Sequence, residues 1–132
     1  MLKIKPLLLS VLTLFSAQLF AADTMKVSQQ QLLSLLAAPS GPELVVLDVR
    51  SKEEFAQGHI KGAINISHDQ ISENLTQLSP HKDKMLVVYC RSGRRAGIAE
   101  EILASNGFSK LRHLDGDMKG WKKAELPTVA SH

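Results

Sequence analysis

The chain alternates short apolar runs with breaks marked by glycine, proline and polar residues. Leu44-Val-Val-Leu-Asp48 and Met85-Leu-Val-Val-Tyr89 are continuous apolar stretches rich in β-branched side chains. They are too short for helices and predict strands buried on both faces. Ala63-Ile-Asn-Ile66 predicts a further, shorter strand, and Leu111–Leu114 another. Elsewhere the apolar period lengthens. Ser28 and Gln31 have the spacing of a capping box, and Leu32, Leu33, Leu35 and Leu36 follow, predicting a helix that Ala38-Pro-Ser-Gly-Pro42 stops. Ile71, Leu75 and Leu78 share one face of a helix predicted over Asp69–Leu78 and limited by Pro80. Ile98, Ala99, Ile102 and Leu103 predict a helix over Arg94–Ser105, ended by Asn106-Gly107. A last helical turn carries Trp121, the only tryptophan, whose large ring is expected as a lid over the core. Strands alternating with helices predict an α/β fold, a central parallel sheet with helices on both faces.

The first 22 residues follow another rule. Met1–Lys5 is basic, Pro6–Phe20 is apolar with only small or polar interruptions, and Ala21-Ala22 precedes Asp23-Thr24. That order of basic start, apolar middle and small-residue end is a secretory signal peptide. The run is short for an uncleaved anchor, which needs about 20 apolar residues. Residues 1–22 are therefore read as a leader and 23–132 as one domain, exported and, in a double-membraned bacterium, periplasmic, with no stable membrane association after cleavage. The full chain of 132 residues carries 16 basic and 13 acidic side chains. Lys3 and Lys5 leave with the leader, so 14 basic side chains face 13 acidic ones in the remainder. The basic excess belongs largely to targeting and gives no argument for a nucleic-acid partner.

A single cysteine, Cys90, cannot form an intramolecular bridge, so in an oxidising compartment it is a buried hydrophobe, an intermolecular partner or a reactive thiol. Its surroundings decide in favour of reactivity. Cys90-Arg-Ser-Gly-Arg-Arg95 lies between a predicted buried strand and a predicted helix. Ligands of open α/β sheets bind at the carboxyl ends of strands, and a helix N-terminus offers free N–H groups to anions. Gly93 permits the tight turn, while Arg91, Arg94 and Arg95 add positive charge. These features favour a thiolate nucleophile and an anionic ligand.

The same loop, following Leu86-Val-Val-Tyr89, resembles the active-site loop of rhodanese-family sulfurtransferases. Leu47-Asp-Val-Arg50, Glu53-Glu-Phe55 and Gly58-His-Ile-Lys-Gly-Ala-Ile-Asn-Ile66 are similar to the family's first signature, and His113-Leu-Asp-Gly-Asp117, Trp121 and Leu126-Pro127 to its closing segment. The likeness covers about residues 26–127. Asp117 and Glu125 depart from it, standing where many members carry glycine, which leaves the local turn geometry open. The resemblance implies a single rhodanese-like domain in which Cys90 takes the outer sulfur of a small anionic donor such as thiosulfate, releases sulfite, and passes sulfur from a persulfide to a thiol or cyanide. It implies no metal and no organic cofactor, and assigns Arg91, Ser92, Gly93, Arg94 and Arg95 to substrate binding. Because a helix turns about 100° per residue, one or two of the arginines are expected to face the ligand, Arg95 least of all.

Asp48 and Arg50 are expected to shape the site through ion pairing or loop hydrogen bonds, and His59 to have a structural hydrogen-bonding role. His68, His81, His113 and His132 lack metal spacing. Three other functions bear on the same loop. A cysteine phosphatase or arsenate reductase of related fold needs Cys-x5-Arg, but the required position holds Ala96. A non-catalytic module for sulfur delivery or binding would keep the fold. An envelope redox role would require mixed disulfides with a partner, since no resolving cysteine is present.

Overall fold

The computed structural model describes Lys3, residues 24–38 and residues 43–131. Apart from Lys3, the leader read over residues 1–22 lies outside the described residues, as do 39–42 of the predicted stop and His132. Among the described residues five strands form one sheet: β1 (Lys26–Val27), β2 (Leu44–Asp48), β3 (Ile64–Asn65), β4 (Met85–Tyr89) and β5 (Leu111–Leu114). Their order is β1-β5-β4-β2-β3, and every pairing is parallel. Four α-helices lie between them, α1 (Gln29–Ala37), α2 (Lys52–Gln57), α3 (Leu75–Leu78) and α4 (Arg94–Ser105), and α5 (Asp117–Lys123) follows β5.

β4 lies at the centre, paired with β2 from Leu44↔Met85 to Asp48↔Tyr89 and with β5 from Leu86↔Leu111 to Val88↔His113. Strands added after β2 run outward on one side and those after β4 on the other, so the order reverses between β2 and β4. That reversal opens a crevice at the carboxyl ends of the two strands. Strand alternation divides the core. Val45, Leu47, Leu86 and Val88 pack with Ala96, Ala99 and Leu103 of α4 and with Ile71 and Leu78. Val46, Val87 and Tyr89 pack on the other face with Leu32 of α1 and Met118 and Trp121 of α5. Helices thus cover both faces, as the apolar pattern predicts. Each fully buried aliphatic side chain contributes about 1.5–3 kcal/mol.

Local chemistry accounts for the boundaries. In α1 the Gln31 N–H donates to Ser28 Oγ at 3.0 Å and the Ser28 N–H to Gln31 Oε1 at 2.8 Å, the predicted capping box. The helix predicted over Asp69–Leu78 is instead broken: 3-10 turns at His68–Gln70 and Ser72–Asn74 precede a single turn, α3. The Asn74 amide donates to the Gln70 carbonyl at 2.8 Å and so competes with the regular helical ladder. The apolar face persists nonetheless, with Ile71 and Leu78 fully buried. The predicted Ala63–Ile66 strand is reduced to β3 at the sheet edge, where the Asn65 side chain bonds the Asp48 and Arg50 carbonyls. β1 and α2 add to the predicted set; α2 carries its own capping box, Ser51 with Glu54. Trp121 is buried and its Nε1–H donates to the Pro127 carbonyl at 2.9 Å. No helix among the described residues is long and apolar enough to cross a membrane.

Candidate active site

The alternation of β4 puts Leu86, Val88 and Cys90 on the α4 side. The chain then turns sharply into α4 at Gly93, whose φ of 114° lies in the region that favours glycine. This turn folds the Gly93 N–H back onto Cys90 Sγ at 3.0 Å. The following first-turn N–H groups have no intrahelical acceptors and carry the positive end of the helix dipole. The loop carbonyls are held from the other side: Cys90 O accepts from Met118 N at 2.9 Å and Arg91 O from Lys119 N at 3.0 Å, both on α5. The sulfur-bearing residue is 1% exposed, at the centre of the sheet's carboxyl edge.

The three arginines diverge. Arg91 is exposed and lines a cleft of about 480 Å³ with Arg50, Glu54, Lys119 and Lys122. Arg94 is exposed at the start of α4. Arg95 forks onto Glu54 of α2, Nη1 to Oε1 at 2.7 Å and Nη2 to Oε2 at 3.0 Å. The Arg95 guanidinium holds the Glu54 carboxyl down at about 2, and Glu54 in turn raises Arg95. Ser92 and Gly93 face a second cleft, of about 560 Å³, lined also by Lys26, Glu100, His113, Asp115 and Asp117.

Asp48 and Arg50 meet within the protein, 0% and 3% exposed, through Nη2–Oδ2 at 2.7 Å and Nε contacts to both carboxylate oxygens at 3.1 Å. Arg50 Nη2 also donates to the Gly58 carbonyl at 2.7 Å, tying the end of β2 to the end of α2. His59 Nδ1 lies 2.8 Å from the Phe55 carbonyl, so that nitrogen carries the proton and donates. Its ring stacks on Phe55 at 3.6 Å, and its backbone bridges Val129. These contacts tie Asp48, Arg50 and His59 to the surrounding loops, while Arg50 also lines the cleft beside Arg91.

One group near the loop is not read as part of the site from the sequence. Asp117 Oδ1 accepts the Cys90 N–H at 3.0 Å, and Oδ2 lies 2.9 Å from His113 Nε2. His113 Nδ1 in turn lies 2.8 Å from Glu100 Oε2. Carboxylates only accept, so both ring nitrogens donate and His113 is an imidazolium. The hydrogen bonds to Asp117 and then Glu100 outweigh burial and raise His113 to about 10. Both turn positions left open by the sequence take left-handed backbone, φ 53° at Asp117 and φ 56° at Glu125. In sequence, His113 and Asp117 show as the two ends of the closing segment, Asp117 as a departure from glycine and His113 as a histidine without metal spacing, and neither points to Cys90.

Comparison with known proteins agrees with this architecture. Residues 28–124 match the family model described as a rhodanese-like domain. The chain is 37% identical over 70 residues to thiosulfate sulfurtransferase PspE of Escherichia coli strain K12, covering 53% of this chain and 67% of that protein. It is 34% identical over 88 residues to protein YibN of the same strain, covering 66% of this chain and 62% of that one. Among solved structures, a rhodanese-related protein from Thermoplasma volcanium superposes with a TM-score of 0.68 at 27% identity, over 80% of this chain and 97% of that one.

Proposed function

The chain belongs to the rhodanese-like domain family, and from that premise we propose that it is a thiosulfate sulfurtransferase working through a persulfide on Cys90. The observation that carries this reading is the Gly93 N–H on Cys90 Sγ at 3.0 Å, at the end of the central strand and the start of α4. A sulfur so placed is a stabilised leaving group as well as a nucleophile. The Cys90 thiolate attacks the outer sulfur of thiosulfate; the donor S–S bond breaks and sulfite departs with its electron pair. The new persulfide keeps its negative charge beside the loop N–H groups. A thiolate or cyanide then attacks the outer sulfur, and Cys90 leaves as thiolate. Arg91, with Lys119 and Lys122 around its cleft, offers the anionic donor a cationic approach. Arg94 at the mouth of the loop adds to that field, while Ser92 and Gly93 shape the turn. Arg95 serves at one remove, since Glu54 holds its guanidinium.

The phosphatase reading is weaker, because Ala96 is buried in the core where Cys-x5-Arg chemistry needs a guanidinium. The basic start, apolar middle and small-residue end of residues 1–22 support export to the periplasm with loss of that leader.

Intact mass of the protein recovered from the cell envelope, before and after incubation with thiosulfate, tests both parts. The expected spectrum lacks residues 1–22 and gains one sulfur, which cyanide removes and Cys90→Ser never acquires. An unchanged mass with thiosulfate and other sulfane donors refutes sulfur transfer; a retained leader refutes cleavage.

A further inference from the structure

We propose that Asp117 and His113 are positioning residues for Cys90: a buried Glu100–His113–Asp117 charge chain fixes the peptide of the nucleophile and neutralises the carboxylate that holds it. The proposal rests on Cys90 acting as the nucleophile described above.

Asp117 sits at φ 53°, in the left-handed region that glycine enters most readily, so glycine would satisfy the turn. The side chain must therefore contribute something glycine cannot. It spans two elements, Oδ1 on the Cys90 N–H at 3.0 Å and Oδ2 on His113 Nε2 at 2.9 Å, and is 3% exposed. This contact removes the Cys90 N–H from the set of donors around the sulfur and leaves Gly93 as the bonded one. Asp117 also lies close against Gly93, where an added Cβ would come within 3.2 Å of its Oδ2.

A carboxylate on the peptide of a thiolate is unfavourable unless it is compensated. His113, reaching across from β5, is the compensating charge, and Glu100 on α4 keeps it protonated. Both imidazole nitrogens are occupied, so the ring has no lone pair for a metal or for general-base work. The other charged groups near the chain are Lys26 of β1 and Asp115 of the β5–α5 turn, which line the same cleft. On the Cys90 side Arg95 contributes, tied to Glu54 of α2.

Charge compensation predicts shifts of opposite sign. His113→Gln leaves Asp117 bare and disfavours the thiolate. Asp117→Asn keeps an oxygen for the Cys90 N–H but removes the negative charge, and favours it. The rate of alkylation by iodoacetamide, measured against pH, reads this directly, because Cys90 is the only cysteine in the chain. Relative to wild type, the midpoint is expected to move up by about one pH unit in His113→Gln and down in Asp117→Asn, and to return toward wild type in the double variant. Below the midpoint, the His113→Gln rate falls about tenfold.

Shifts of the same sign, or none in variants that melt cooperatively, overturn the proposal. If His113→Gln does not fold, Asp117→Asn alone decides it by a downward shift or its absence. Alkylation needs no sulfur donor, so a protein that never forms a persulfide would refute the sulfurtransferase reading while leaving this measurement intact.

Discussion

At the scale of single residues, two left-handed positions carry different side chains for different reasons. Asp117 is buried and bonded on both carboxylate oxygens, whereas Glu125 is exposed and, among the described residues, its side chain makes no hydrogen bond or ion pair. The strain at Glu125 is therefore uncompensated. Glu125→Gly is expected to raise stability by up to about 1 kcal/mol, because relief of the left-handed penalty exceeds the glycine entropy cost. Denaturant unfolding checks this: a lower midpoint than wild type would show that the turn carries no strain. The sequence could flag both positions as departures from glycine but could not separate them. What distinguishes them is a set of partners at 90, 100 and 113, brought together only by the fold. The surroundings of Cys90 could be read from the sequence because its neighbours in the chain, the flanking strand and the start of α4, are also its neighbours in space.

Among elements, the long apolar runs were the legible part. β2, β4 and α4 have the predicted limits, with Asn106 capping α4 after Ser105. The misses are short elements held by tertiary contact. β1 is two residues long and exists by pairing with β5. α2 buries no residue completely, so its apolar period is too weak to read, although Ser51 and Glu54 mark its start. α2 nevertheless shapes the site, since Glu54 both caps it and grips Arg95 of α4. That pair is partly exposed, 26% and 33%, so it adds at most about 1 kcal/mol to stability. Its weight falls on the cationic field instead. If the proposed sulfur transfer holds, Glu54→Gln should release Arg95 toward the loop and lower KM for thiosulfate several-fold, with a melting temperature close to that of wild type. A raised KM would mean that Arg95 serves the donor better when clamped. Because Glu54 is held at about 2, with Arg95 the main cause, wild type cannot reach the released state by mild acidification.

For the whole molecule, the same two carboxylate partnerships bound the pH range of greatest stability. A group whose pKa is raised on folding stabilises the native state fully below its unfolded value and ceases to do so as pH climbs through the folded one. His113 moves from 6.5 to about 10, so its contribution is complete below pH 6.5 and is lost progressively up to pH 10. Glu54 is lowered from 4.5 to about 2, so its contribution is present above pH 4.5 and lost as pH falls toward 2. The two windows leave a plateau between about pH 4.5 and 6.5. Burial first, and then the negative charge of Asp48, push the Tyr89 phenol far above its ordinary value of 10, so by the same rule its contribution is complete below pH 10 and is lost only above the window in which His113 acts. Thermal unfolding followed by circular dichroism should therefore show a melting temperature that is flat across the plateau and declines from pH 6.5 to 10. In His113→Gln the fold is weaker throughout, and the alkaline decline disappears with the group that causes it. An equal alkaline slope in that variant would assign the loss to surface lysines, and would mean that His113 is neutral beside Asp117 and Glu100.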